Sequence, residues 1–191
     1  MSSSAAPVLL MGGWTLAAAR QPGGFDQVRD TISALAAHGA ENRWIMTTAL
    51  AGLGVCHVVT AAALRPARPA GRAVLAAGGV ATVLVAVIPL PADGSGSLAH
   101  TVAAAAAFMA LAVWPAGAGN RAAAPVLRPS VSWTAAAGLL GLVGWFGAEL
   151  VLDGGRVGLS ERAAAGAQSL WPFVVAAGLR AARAPVRRPG R

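Results

Sequence analysis

Apolar residues in this chain come in long runs, and the polar residues are gathered between them. Six segments reach or approach the roughly 20 apolar residues that carry a helix across a bilayer. They run over about Ala5–Ala19, Trp44–Leu64, Ala73–Leu90, Leu98–Ala118, Val131–Leu152 and Ala163–Ala182. A soluble amphipathic helix needs a polar face at helical spacing, and these runs lack one. The pattern predicts an all-α fold: a polytopic membrane bundle of six transmembrane helices over residues 1–182, followed by a basic cytoplasmic tail at 183–191. The first run is short and ends in Ala17-Ala18-Ala19, which resembles a signal-peptidase site. No Arg or Lys precedes Arg20, so the basic n-region of a signal peptide is missing and a retained helix is expected.

The longest polar interruption follows that first run. Between Arg20 and Trp44 lie Asp26, Arg29, Asp30, Ser33, His38, Glu41, Asn42 and Arg43. Connections of this length are usually functional or disordered, but this one carries signs of order. Val28, Ile32, Leu35 and Ala36 recur at helical spacing, while Arg29, Asp30, Ser33 and His38 take the other face. Pro22-Gly23-Gly24 breaks the chain before them, and Gly39 can supply a left-handed stop after them. A short amphipathic helix over Asp26–His38 is therefore expected in the first extracytoplasmic loop, lying on the membrane surface with Asp30 and Ser33 turned towards His100 and the Glu161-Arg162 start of the sixth span. In the shorter outer loops Ser97 is placed to cap the fourth span, and Ser160 the sixth, with Glu161 in its first turn.

Charge adds orientation. The chain of 191 residues is 56% hydrophobic and 12% charged, against about a quarter charged in ordinary soluble domains. All the cationic side chains are Arg, and the formal net charge is +8. Ten Arg (65, 68, 72, 121, 128, 180, 183, 187, 188 and 191) fall in three segments without acids, and five (20, 29, 43, 156 and 162) fall on the opposite side beside most of the acids. The positive-inside rule then puts both termini in the cytoplasm and the polar interruption outside, as in a protein of the plasma membrane. The basic excess is explained by topology, so nucleic acid is not an expected partner. The single cysteine, Cys56, lies within a span and excludes a disulfide framework. The Trp residues at 44, 114, 133, 145 and 171 are expected as interfacial anchors, and the Gly and Ala content as a means of close helix approach.

Several residues together resemble a known family. They are the run Arg29-Asp-Thr-Ile-Ser-Ala-Leu35, Asn42 and Trp44 opening the second span, Pro89 and Asp93 closing the third, His100 in the fourth and Ser160-Glu-Arg162 opening the sixth. In these the chain resembles the bacterial and archaeal membrane proteins grouped as domain of unknown function 998, over nearly its whole length. Where that family often has Gly after the Leu, this chain has Ala36-Ala37. The resemblance implies six membrane helices and an outward polar cluster, and no reaction.

Ionisable groups in a bilayer are costly and tend to face cavities or partners, which makes His100 the leading candidate for chemistry. Beside Asp30, Asp93 or Glu161 it would be a general acid or base oriented by a carboxylate; the competing reading is an interhelical hydrogen bond. Arg29, Arg43 and Arg162 can clamp an anionic headgroup or neutralise Asp26, Asp30, Glu41 and Glu161. Ser33, Asn42 and Glu149 add polar ligand contacts, although Glu149 can equally pair with Arg156 or Arg162. No nucleophile elbow surrounds Ser33, and His57 reads as a packing residue. His57 and His100 are too few for a two-haem bundle, and no P-loop, dinucleotide or zinc motif is present; no cofactor or metal is expected. Three functions follow in order: binding of a lipid or small amphiphile headgroup, an intramembrane hydrolase or transferase using His100, and a small-solute transporter.

Overall fold

The computed structural model describes residues 2–93 and 95–183, so Arg187, Arg188 and Arg191 of the expected tail lie outside the described residues. The described residues form six α-helices: α1 (Ser2–Ala18), α2 (Trp44–Ala63), α3 (Pro69–Val87), α4 (Leu98–Ala118), α5 (Pro129–Val151) and α6 (Val157–Ala181). Two short 3-10 helices, Ser33–Ala36 and Pro125–Leu127, sit in the connections, and no strand occurs among the described residues. Each helix packs on its neighbours in the chain, and α6 returns to α1, closing the six into a ring.

Four of the six, α2 to α5, are long and apolar enough to cross a membrane. α1 has 17 residues, near the lower limit for a span. α6 has 25, but Ser160, Glu161, Arg162, Gln168 and Ser169 along it are all buried. Its polarity faces the interior of the ring.

Helix ends follow the local chemistry. α3 begins at Pro69 rather than Ala73, because proline at the first position has its φ preset and lacks only an N–H that would have no partner there. Arg72 therefore lies inside α3, and its guanidinium donates to the Ala61 and Ala62 carbonyls at 2.8 and 3.1 Å, closing the end of α2. Ser97 caps α4 as expected, accepting from the His100 amide at 3.3 Å. Ser160 does not cap α6. The helix starts earlier, at Val157, because the Glu149 carboxylate accepts the Arg156 amide at 2.9 Å. Gly39 makes no left-handed stop; among the described glycines only Gly23 and Gly24 have positive φ.

The interior has two apolar cores with a polar layer between them. Leu10, Leu35, Met46, Leu50, Leu53 and Val85 form one core, beneath the long loop. Leu64, Leu75, Leu111, Trp114, Leu127 and Val175 form the other. Trp114 is thus a core residue, 1% exposed, and not an interfacial anchor; Trp44 and Trp133, 63% and 64% exposed, do stand at helix starts. The layer between the cores holds His57, Thr82 and Gln168, all buried. The Thr82 hydroxyl donates to the Gly78 carbonyl and the Gln168 amide to the Phe108 carbonyl, both at 2.8 Å, whereas neither His57 ring nitrogen has a partner.

α2 and α3 cross at Gly54 and Gly79. A Cβ on Gly79 would stand 2.6 Å from the Gly54 carbonyl oxygen and 3.0 Å from the His57 Cβ. The crossing therefore depends on the missing side chains, and overpacking of this kind costs about 1–3 kcal/mol. Gly79→Ala is expected to lower the thermal unfolding midpoint in detergent. Gly144→Ala, where an added Cβ meets nothing within 4 Å, should leave it unchanged or raise it.

Candidate functional site

The expected helix over Asp26–His38 is replaced by turns at residues 27–29 and the 3-10 helix Ser33–Ala36. The physical reason lies in the start of α6. Arg162 Nη1 donates to the carbonyls of Gln27, Asp30 and Gly158 at 2.9, 2.8 and 2.9 Å. The Glu161 carboxylate accepts the Ile32 amide, and the Val28 carbonyl accepts the Leu159 amide at 3.0 Å. Backbone groups that a helix would have paired internally are thus paired with α6. Gly158 makes the approach possible, because a Cβ there would collide with the Asp30 carbonyl oxygen. The apolar half of the expected pattern holds, with Ile32, Leu35 and Ala36 buried, while Val28 is 44% exposed.

This docking turns Ser33 inward. Its hydroxyl lies 3.1 Å from His100 Nε2, and His100 Nδ1 lies 2.6 Å from the Ile88 carbonyl oxygen. A carbonyl only accepts, so Nδ1 carries the proton, and in the neutral ring Nε2 is left as acceptor for the Ser33 hydroxyl. The Ile88 carbonyl is free for this role because it follows the last turn of α3, where Pro89 and Pro91 have no N–H to offer.

Two cavities meet at this point. One, of about 350 Å³, runs between α4 and α5; Leu90, Ala105, Phe108, Val143, Phe146 and Leu150 supply much of its apolar wall. Thr31, Ser33, His100, Thr101 and Glu161 make its polar parts. The other, of about 50 Å³, lies inside the ring and reaches His57, Thr82 and Gln168. Ser33, Ala104, Phe108 and Glu161 line both.

The remaining candidates are scattered. Asp30 is occupied within the loop, its carboxylate accepting the Asp26 amide at 2.9 Å. Asp93 is exposed, and donation from the Ser95 hydroxyl and amide holds its carboxyl below the ordinary value. Among the described residues no hydrogen bond joins His100 to Asp30, Asp93 or Glu161; the group that orients it is a backbone carbonyl. Arg29 is exposed and pairs with Asp26 at 3.7 Å, the one ion pair among the described residues. Arg43 donates to the Ala36 carbonyl at 3.3 Å. Asn42 holds a positive φ of 51° at the start of α2, a conformation that Asn tolerates better than most residues. Glu149 bonds the Trp145 indole at 3.2 Å and the Arg156 amide, so it pairs with neither expected guanidinium. Arg162 lies 6.0 Å from the Trp14 ring centre and 5.6 Å from that of Phe25, enclosed by protein.

Thr31, Phe146 and Gly147 were not legible as site residues. A signal existed in α5, where glycine recurs at 138, 141, 144 and 147. Such a stripe ordinarily means close helix packing, yet an added Cβ at any of the four meets nothing within 4 Å.

Removing the Arg162 guanidinium orphans loop carbonyls, at about 1–3 kcal/mol for each one left unsatisfied. Arg162→Ala should therefore speed amide hydrogen exchange across residues 27–36 by roughly ten- to a hundredfold or more. Gly158→Ala should act in the same direction, and Arg29→Ala should have little effect because its ion pair is exposed.

No curated protein and no solved structure is detectably similar to the chain. A family model matches residues 4–178, and the chain accordingly belongs to the family described as a protein of unknown function (DUF998).

Proposed function

We propose that this is a six-span protein of the plasma membrane, with both termini cytoplasmic, that takes up a lipid or other amphiphile between α4 and α5. The observation that carries this is the cavity of about 350 Å³, with apolar walls and Thr31, Ser33, His100 and Glu161 among its polar lining. That volume is at the lower end of the roughly 300–1,000 Å³ usual for small-molecule sites. The lining matches an amphiphile: an alkyl chain against Phe108, Phe146 and Leu150, and a polar head at the loop. α5 is the least buried of the four apolar helices, which favours access from the lipid side.

The polar end is narrower than an arginine clamp. Arg162 Nη1 is taken by backbone carbonyls, Arg43 bonds the Ala36 carbonyl, and Arg29 stands out in solvent. With Glu161 in the wall and no Arg among the residues lining the cavity, a head bearing hydroxyl or ester oxygens suits the site better than an anionic one. The charged residues gather at the two ends of the bundle and not near its middle, and this ranks a small-solute transporter below the amphiphile reading.

Gly147 lines the cavity, and a Cβ added there meets nothing. Gly147→Phe is therefore expected to fill the cavity without unfolding the protein. Mass spectrometry of extracts from purified protein should find a defined lipid with the wild type and at least tenfold less with Gly147→Phe. Equal lipid content in the two proteins would overturn the proposal.

A further inference from the structure

We propose that Ser33 is an acyl-transfer nucleophile, activated by His100, and that it cleaves a carboxylic ester of an amphiphile seated between α4 and α5. The inference rests on the binding site proposed above and adds a reaction to it.

The geometry is that of a nucleophile, a base and an orienting acceptor. Ser33 Oγ stands 3.1 Å from His100 Nε2, within the reach required of a general base. The Ile88 carbonyl at the C-terminal end of α3 holds the Nδ1 proton at 2.6 Å. This carbonyl takes the orienting place that a carboxylate holds in other nucleophile–base pairs, fixing the ring with Nε2 towards Ser33. Ser33 cannot swing freely, because the Ile32 amide before it is fixed by Glu161 and the turn before that by Arg162. The Thr31 hydroxyl accepts the Ala34 amide at 3.1 Å and lines the same cavity, which leaves its own proton to donate to a developing oxyanion.

The steps balance with ester and water alone. Ser33 Oγ bonds to the ester carbonyl carbon as its proton passes to His100 Nε2. The tetrahedral adduct collapses, the bond to the alcohol oxygen breaks, and that oxygen takes the proton from Nε2 and leaves as an alcohol. A water then attacks the acyl-Ser33 carbonyl while giving a proton to Nε2. Expulsion of Ser33 Oγ, which recovers that proton, releases the carboxylic acid. The inner cavity provides a place for the water, since about 50 Å³ with Ser33, Glu161, His57, Thr82 and Gln168 in an otherwise apolar lining has room for about three molecules.

The test treats the purified full-length protein in detergent with a long-chain alkyl fluorophosphonate and maps the modified peptide. Phosphonylation of Ser33 is expected, absent in Ser33→Ala and slowed by about 10²- to 10⁴-fold in His100→Ala. Should His100→Ala fail to fold, His100→Gln keeps a polar side chain in place and is expected to show the same slowing. Gly147→Phe should slow the long-chain reagent by at least tenfold more than it slows a methyl fluorophosphonate. A wild type that retains its amphiphile but is not labelled at Ser33 overturns the nucleophile and leaves the binding site standing. Labelling of Ser33 with no dependence on chain length or on Gly147→Phe overturns the binding site and leaves the nucleophile.

Discussion

A guanidinium buried at the start of α6 must find acceptors, and its Nη1 finds them in the backbone of the long loop between α1 and α2. Burying an ion costs several kcal/mol. Arg162 offsets part of this through Nη1, whose two N–H groups are shared among the carbonyl oxygens of Gln27, Asp30 and Gly158, while Nε and Nη2 have no partner; a bond from a charged donor is worth about 1.5–3 kcal/mol. The faces of Trp14 and Phe25 add a cation–π contribution. Glu161, next in the chain, faces the same loop and takes the Ile32 amide. Adjacent residues of opposite charge thus each bind the backbone, one through acceptors and one through a donor. The loop is held against α6 at both ends of its turn, and everything beneath it is covered.

A second constraint comes from α3. Its C-terminus runs into Pro89-Leu-Pro91, so the last carbonyls of the helix have few local donors. The chain satisfies them from elsewhere: the Leu90 carbonyl accepts the His38 amide at 3.0 Å, and the Ile88 carbonyl takes His100 Nδ1. The same shortage that fastens the loop to α3 therefore orients the imidazole. His100 in turn is positioned by the Ser97 cap of α4, and Ser33 by the α6 pins. Three helix ends converge on one hydroxyl, although none of them was selected by a catalytic motif.

The fold was legible where it depended on run length alone. Continuous apolar stretches located α2 to α5 closely, since each helix buries or exposes apolar surface on every side. The site was legible only in part. The spacing of Ile32, Leu35 and Ala36 correctly placed them inward, but periodicity carries no information about which groups accept the loop's hydrogen bonds. Those partners lie 129 and more positions away, in α6. Arg162 looked like a ligand clamp because a guanidinium fork suits a phosphate and a set of carbonyls equally well. Asp30, Asp93 and Glu149 looked like orienting or binding groups because a carboxylate near an imidazole is usually worth attention. In the folded chain each instead accepts local amides, a role that spacing alone does not distinguish. Ser33 was expected on the polar face, turned towards His100, and it does meet His100, although from a 3-10 turn and not from an α-helix.

The two cavities differ in character, and that difference bears on chemistry. The space between α4 and α5 is walled largely by Phe108, Val143, Phe146 and Leu150, while the space inside the ring has His57, Thr82 and Gln168 in its wall. An unpartnered buried imidazole such as His57 is expensive unless water reaches it, so the inner space offers water polar partners at His57, Thr82 and Gln168, although Leu10, Leu50, Leu53 and Leu111 also line it. Ser33 and Glu161 are the polar residues common to both. An amphiphile on one side and water on the other would therefore share a boundary at the Ser33 hydroxyl. A bilayer interior otherwise keeps ester and water apart, and a ring of helices with a polar middle layer offers a way to bring them together without opening a channel through the membrane.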